Sequence, residues 1–228
     1  MFSTIKNRYS HRKTLILVNI LSLLFFLFIT YLVVNNSYLL SIDRWVNIHI
    51  RTLHTPILTH IIIFITNLCG VVGNVIFGTF VMVFLTYKKW YKERLFYLLS
   101  FSGAVVLFAG IKQLVARSRP SSDLIDVINY SFPSGHSTLS MATVLLIYFI
   151  FDIRGSSVMM KNILLTVGVT CSIFIAFTRI YLNVHWLSDV LVGLALGIFW
   201  VTLIRLFFIK NKSLVYNTLA KKIRLKRR

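Results

Sequence analysis

Acidic residues are scarce in this chain: 6 Asp and Glu stand against 25 Lys and Arg in 228 residues, a formal net charge of +19. In a soluble protein that excess would suggest nucleic acid. Here the basic residues lie mostly between or beyond long apolar runs, which fits the positive-inside pattern of membrane proteins and gives no reason to expect a nucleic-acid partner. Only 14% of residues are charged while 57% are hydrophobic, and mean hydropathy is +0.79, which excludes an ordinary soluble domain. Cysteine is scarcer still. Cys69 and Cys171 sit in apolar surroundings without CxxC or metal-ligand spacing, so no disulfide framework follows and both read as small packing residues. Internal repeats and low-complexity tracts are absent.

What the chain has instead is apolar length. A basic start carrying Lys6, Arg8, Arg12 and Lys13 leads into Thr14 to Val34, long enough for one helix across ~30 Å of hydrocarbon. The run exceeds a signal-peptide core, and Asn35, Asn36 and Ser37 offer no Ala-x-Ala-like cleavage site, so a retained anchor is expected. Residues 35–55 are mixed, with Asp43, Arg44, Trp45, His49, Arg51 and His54, and suit a segment at the outer membrane interface. Pro56 to Leu68 is too short to span alone and is followed by Gly70 and Gly73, which predicts a shallow or re-entrant helix before a second span ending at Tyr87. The remaining spans are expected at about Leu95 to Val115, Ser137 to Phe151, Ile163 to Phe177 and Trp186 to Phe208. Gly193 and Gly197 are spaced for close helix packing within the chain.

The expected fold is therefore all-α, a polytopic membrane helical bundle of about six transmembrane helices, forming a single integral membrane domain over residues 1–228. Charge asymmetry puts the basic ends, 1–13 and 210–228, in the cytoplasm together with the clusters around Lys88 to Arg94 and Arg154 to Lys161. The tail from Lys221 to Arg228 reads as a solvated flank that could also bind anionic lipid headgroups.

Three polar stretches interrupt the apolar chain, and a topology drawn from length and charge alone brings all three to the outer face. Ionisable groups near hydrocarbon cost several kcal/mol each unless paired or hydrated, so they point to function. In the first stretch Lys112 and Arg119 are seven residues apart, nearly the same helix face two turns on, and Pro120 should end the helix at Arg119. Two converging cations suit a multiply charged oxyanion. Snorkelling of Lys112, Arg117 and Arg119 to the interface explains them equally well. In the second, Pro133, Ser134, Gly135, His136 and Ser137 open a span, which would set free N–H groups of a helix N-terminus beside a hydroxyl and an imidazole. An ordinary helix start capped by Ser134 is the plainer reading.

In the third stretch, His185 and Asp189 are four apart at the start of the last span, so the carboxylate can accept from one ring nitrogen and leave the other as nucleophile or base. Arg179 lies just before, across a turn expected at Asn183. A structural His–Asp pair bridging helices is the alternative. Metal and other cofactors are not expected, because no third ligand stands at suitable spacing from His136 and His185 and three cations would repel a metal ion. Together the stretches supply three cations, a helix N-terminus and two histidines, the components of a phosphate site with its own nucleophile.

Lys112 with Arg119–Pro120, then Pro133–Ser134–Gly135–His136, then Arg179 with His185 and Asp189, resembles the three-part signature of the type 2 phosphatidic acid phosphatases, a family that also looks related to bacterial acid phosphatases and vanadium-dependent haloperoxidases. Thr178 stands where the family often has serine, and the hydroxyl is retained. The resemblance implies that His185 attacks phosphorus to form a phosphohistidine, that Asp189 orients it, and that His136 protonates the leaving oxygen and then activates water. It further implies that Lys112, Arg119 and Arg179, helped by Ser134 and the Gly135 amide, bind the phosphate, without metal or cofactor.

The expected partners are a lipid phosphate substrate and membrane lipids, in a bacterial cell membrane with the active site facing outward. Among substrates, undecaprenyl pyrophosphate, recycled for cell-wall synthesis, is expected ahead of phosphatidylglycerol phosphate and phosphatidic acid, on the family's habits and not on any particular residue. A transporter or channel for an anion or phospholipid would explain the arginines but not the His185–Asp189 pairing. A catalytically silent lipid-binding scaffold fits poorly with motif positions that are all filled, and haloperoxidase activity fits poorly with an embedded chain.

Overall fold

The computed structural model describes residues 2–35 and 38–226, with side chains over 12–35, 38–70 and 73–209. Eight α-helices follow in order: α1 (Phe2–Val34), α2 (Leu39–Ile50), α3 (Pro56–Leu68), α4 (Val71–Tyr87), α5 (Tyr91–Val115), α6 (Gly135–Ile153), α7 (Val158–Tyr181) and α8 (Leu187–Lys226), with a single 3-10 turn at Arg51–Leu53. Among the described residues there is no strand. Six stretches are long and apolar enough to cross a membrane: Arg12–Val34, Pro56–Tyr87, Tyr91–Val115, Gly135–Ile153, Val158–Tyr181 and Leu187–Ile209. The polytopic all-α reading therefore stands. The basic side chains of 1–11 and 210–228 lie outside the described residues, and so does the expected lipid-binding role of the tail.

Local chemistry explains where the helices begin. Thr55 caps α3, accepting from the Leu58 N–H at 3.4 Å with Pro56 in the first turn, and Ser157 caps α7, accepting from Met160 N–H at 3.2 Å. α8 packs on α6 at very short range, since a Cβ at Gly193 would stand 2.6 Å from Ser134 O and one at Gly197 2.6 Å from Thr138 O. The two glycines thus serve packing within the chain, as their spacing suggests. The main core joins Phe96, Tyr97 and Ala104 of α5, Leu139 to Ile150 of α6 and Val201 of α8. Cys171 departs from expectation: it is exposed on the outer surface of α7 and packs no core, whereas Cys69 is half-buried.

α3 and α4 form one broken crossing. α3 starts beside the end of α7, where Thr59 meets the Tyr181 hydroxyl at 3.0 Å, and Thr66 reaches Arg179 at 2.8 Å. Cys69 and Gly70 interrupt the helix, and α4 continues to the opposite end of the bundle, where Lys88 to Trp90 turn into α5. Together the pair makes one candidate crossing, Pro56–Tyr87, with α3 lying against the last turn of α7. α2 presents Ile42, Trp45 and Ile48 outward and buries Asp43, consistent with a segment at the interface.

Candidate active site

The C-terminal ends of α5 and α7 and the N-terminal ends of α6 and α8 meet at one end of the bundle, around a cavity of about 410 Å³. Lys112, Arg119, Gly135, His136, Arg179 and His185 all line it, along with Gly70 and Asn74 from the α3–α4 break. Six of the eight site residues expected from sequence thus converge on one space. Asp189 stands behind His185, and Ser134 does not line the cavity.

Each side chain is aimed by its own local structure. α5 ends at Val115 because Ala116 turns left-handed at φ 48°, so the helix stops short of the Arg119 expected from Pro120. Lys112 and Arg119 nonetheless converge: Lys112 Nζ donates to Tyr130 O at 2.7 Å and Arg119 Nη2 to the same oxygen at 3.0 Å. Arg119 also donates through Nε to Asn129 O at 2.8 Å and bonds the Asn129 side chain and Val184 O. Arg179 donates to Thr66 Oγ1 at 2.8 Å, and its buried Nε has no hydrogen-bond partner. Ser134 is fully buried as the cap of α6. Its Oγ accepts from Ser137 N–H at 3.4 Å and from Ser137 Oγ at 3.0 Å, so its lone pairs serve the helix start. The first turn of α6 still opens on the cavity through Gly135 and His136, where the helix dipole favours an anion.

His185 lies in the turn before α8, not on the helix, and Asn183 makes that turn with φ 52°. Its Nδ1 is 3.4 Å from Asp189 Oδ2, an oxygen that also accepts the Trp186 N–H at 2.9 Å. The contact arises from the entry into α8 and not from two turns of one helix. On the other side of the ring, Arg119 Nη1 approaches Nε2 at 3.2 Å. A guanidinium can only donate, so Nε2 carries its lone pair and Nδ1 the proton. Burial foremost, then Arg119, Arg179 and Lys112, push the imidazole well below its ordinary value, with a Ser131 backbone hydrogen bond opposing. Burial likewise lowers Arg119, against the opposing charge of Asp189. A neutral imidazole with a free pair toward a cationic pocket has the form that a nucleophile or a base requires.

The PAP2 superfamily model matches residues 91–213, more than half of the chain. The chain belongs to the PAP2 superfamily.

Among PAP2-related proteins, phosphatidylglycerophosphatase B of Bacillus subtilis (strain 168) is 30% identical over 133 residues, covering 57% of this chain and 64% of that protein. The chain thus matches under two thirds of that relative's length. The crystal structure of a transmembrane PAP2-type phosphatidylglycerolphosphate phosphatase from Bacillus subtilis superposes with a TM-score of 0.77 at 23% identity, covering 84% of this chain and 96% of that one. Aquifex aeolicus LpxE gives a TM-score of 0.53 at 24% identity, with 72% and 93% covered. These likenesses show that the bundle has a PAP2 transmembrane fold.

Four residues at the site escape the motifs: Arg117, Asp43, Thr66 and Gly70. Arg117 is not a snorkelling cation: its side chain is 9% exposed and ion-paired at 2.7 Å with both Asp43 and Asp189. Thr66 holds Arg179, and the Thr178 hydroxyl donates to Ile175 O at 2.7 Å and to Thr66 Oγ1 at 3.3 Å. Gly70 lets the α3–α4 break approach the site, since a Cβ there would stand 3.4 Å from His136 Nε2. A signal for Asp43 does exist. It shares a helical face with Val46, Asn47 and Ile50, and in a chain with 6 acidic residues a carboxylate on an inward face requires a cation nearby.

Proposed function

We propose that this protein is a membrane lipid phosphatase that works through a phosphohistidine on His185, without metal or cofactor. The observation that carries the reading is that Lys112, Arg119, Arg179, His136 and His185 line one cavity, with the lone pair of His185 Nε2 directed at the cations. His185 Nε2 bonds to phosphorus as the bond from phosphorus to the lipid oxygen breaks, and His136 supplies the proton to that oxygen. A water then gives its proton to His136 and bonds to phosphorus, the P–N bond breaks, and inorganic phosphate leaves. Lys112, Arg119, Arg179 and the first amides of α6 bear the charge on the phosphoryl oxygens in both steps. Asp189 holds the imidazole tautomer.

The substrate is a lipid phosphate whose headgroup reaches the outer end of the bundle, with the basic ends of the chain in the cytoplasm of a bacterial cell. The name of the Bacillus subtilis relative favours phosphatidylglycerophosphate. Undecaprenyl pyrophosphate, which leads on family habit, is the second substrate to test. Purified protein in detergent should release phosphate from a panel of lipid phosphates in the presence of chelator, and kcat/KM should rank them. Lipid flux across liposomes without phosphate release, persisting in His185→Ala, would instead mark a transporter.

A further inference from the structure

The carboxylate that faces His185 is gripped from behind. Arg117 Nη1 donates to Asp189 Oδ1 and to Ser188 Oγ, both at 2.7 Å, while Nη2 donates to Asp43 Oδ2 at 2.7 Å. Asp43 in turn accepts from Ser188 N–H at 2.9 Å and from Ser188 Oγ at 2.6 Å. A carboxylate of α2 therefore caps the first turn of α8, 145 residues on. The cluster is shut off from water, with Asp43 1% and Asp189 0% exposed, and the Arg117 guanidinium lies 5.3 Å from the Trp186 ring centroid.

Arg117 differs in kind from the phosphate-facing cations. It does not line the cavity, and both of its terminal nitrogens are taken by carboxylates, so no fork remains for a substrate oxyanion. The contact between His185 and Asp189 is the loosest in the cluster, at 3.4 Å against 2.7 Å for Arg117 to Asp189. The orientation of Asp189 is thus fixed by Arg117 and the Trp186 amide, and the imidazole accommodates to it.

We infer that Arg117, anchored by Asp43 of α2, is a positioning residue that holds Asp189 in register with the nucleophilic imidazole, making the interfacial helix a working part of the site. This rests on His185 being the nucleophile, as proposed above. The chemistry supplies a reason for a cation there. A buried carboxylate with no counterion would draw a second proton onto the imidazole, whereas one neutralised by arginine can orient the ring and leave Nε2 free. The charged and titratable groups facing His185 are Lys112 of α5, Arg119 of the following loop, His136 of α6, Arg179 of α7 and Asp189 of α8. Of these groups Asp189 alone carries the negative charge that pulls a proton toward the ring, beside the hydrogen bond to the Ser131 backbone, and Arg117 moderates that pull.

The test uses the full-length protein in detergent and reads phosphate release from a lipid phosphate, with orthovanadate inhibition as a probe of the phosphate cations. Arg117→Gln should lower kcat by roughly 10²-fold, less than the ~10⁴-fold of an orienting acid removed outright, while KM and vanadate inhibition change little. The acid limb of kcat/KM should move to higher pH, because the uncompensated carboxylate favours imidazolium. Arg117→Lys should restore part of the loss. Asp43→Asn, which keeps an acceptor for the Ser188 amide, should show a smaller loss of the same kind and carries the test if the Arg117 variants do not fold. An active wild type with unchanged kcat in Arg117→Gln and Asp43→Asn overturns the inference alone. So does a loss confined to KM and vanadate inhibition with the acid limb unmoved. A wild type that releases no phosphate from any lipid overturns both this and the functional reading.

Discussion

The two ends of the bundle hold their charges in opposite ways. At the end away from the cavity, Asp152 accepts from Lys161 and from Arg205 at 2.9 Å each, and Glu93 lies 3.7 Å from Arg154, whose guanidinium rests over the Trp90 ring at 4.1 Å. At the cavity end Lys112, Arg119 and Arg179 lean on carbonyls, an amide side chain and a hydroxyl, and among the described residues none of the three has a carboxylate at ion-pair distance. Among the described residues Arg117 is the ion-paired cation beside the cavity, and Arg51 pairs with Asp123 at 3.3 Å on the exposed rim. The first arrangement is self-sufficient and holds helices together. The second leaves three cations beside neutral acceptors, a setting that favours an anion. Cations that line a cavity without carboxylate partners are what separate a site from a structural ion pair.

The comparison can be broken most sharply at its centre. Replacing His185 or His136 with alanine should cost roughly 10³-fold or more in phosphate release, since the proposed scheme gives them the roles of nucleophile and proton carrier. Near-normal turnover in either variant would end the assignment. Next in size are the unneutralised cations. Arg179→Gln or Arg119→Gln should lower kcat/KM by ~10²–10³-fold, as for a lost oxyanion donor, and should weaken vanadate inhibition in parallel. A loss of turnover with vanadate inhibition intact would show that these arginines do not carry the phosphate.

At the opposite end, Asp152→Asn should leave kcat/KM near wild type and lower thermal stability. The cost falls between the ~1 kcal/mol of an exposed pair and the ~3–5 kcal/mol of a fully buried one, since Asp152 is 13% exposed. A large kinetic effect with unchanged melting would erase the distinction between the ends. The smallest effect is on pH. Burial and three cations keep His185 neutral, so in the free protein the acid limb of kcat/KM should lie well below the ordinary histidine range. Arg119→Gln removes one repelling charge and should shift that limb to higher pH; a shift the other way would contradict the electrostatic account.

Much of this was legible in the sequence because it is local. Span number follows from apolar length, and the motif residues announce themselves by fixed spacing at helix ends: His136 one residue past a glycine, His185 four before Asp189. What depends on distant packing was not legible. Arg117 meets Asp43 across 74 positions and Asp189 across 72, with no periodicity linking them, so a structural arginine looked like an interfacial one. α5 ends at Val115, as the apolar span does, but does not continue to Arg119 as Pro120 suggests, because Ala116 adopts a left-handed turn that no glycine marks. Ser134, expected on the phosphate, caps α6 as a fully buried residue and does not line the cavity, which its spacing in the sequence does not reveal.

The broken crossing and the interfacial helix also bear on how the unit could be divided. The family match begins at residue 91, and every motif residue lies inside it. A fragment cut there would carry both histidines and the three cavity-lining cations, yet it would lose Thr66 beneath Arg179, Gly70 beside His136 and Asp43 behind Arg117. The smallest portable catalyst is therefore larger than the recognisable signature. Grafting the motifs onto another bundle, or trimming the chain to its matched segment, should yield a protein with the right side chains in a poorly held arrangement.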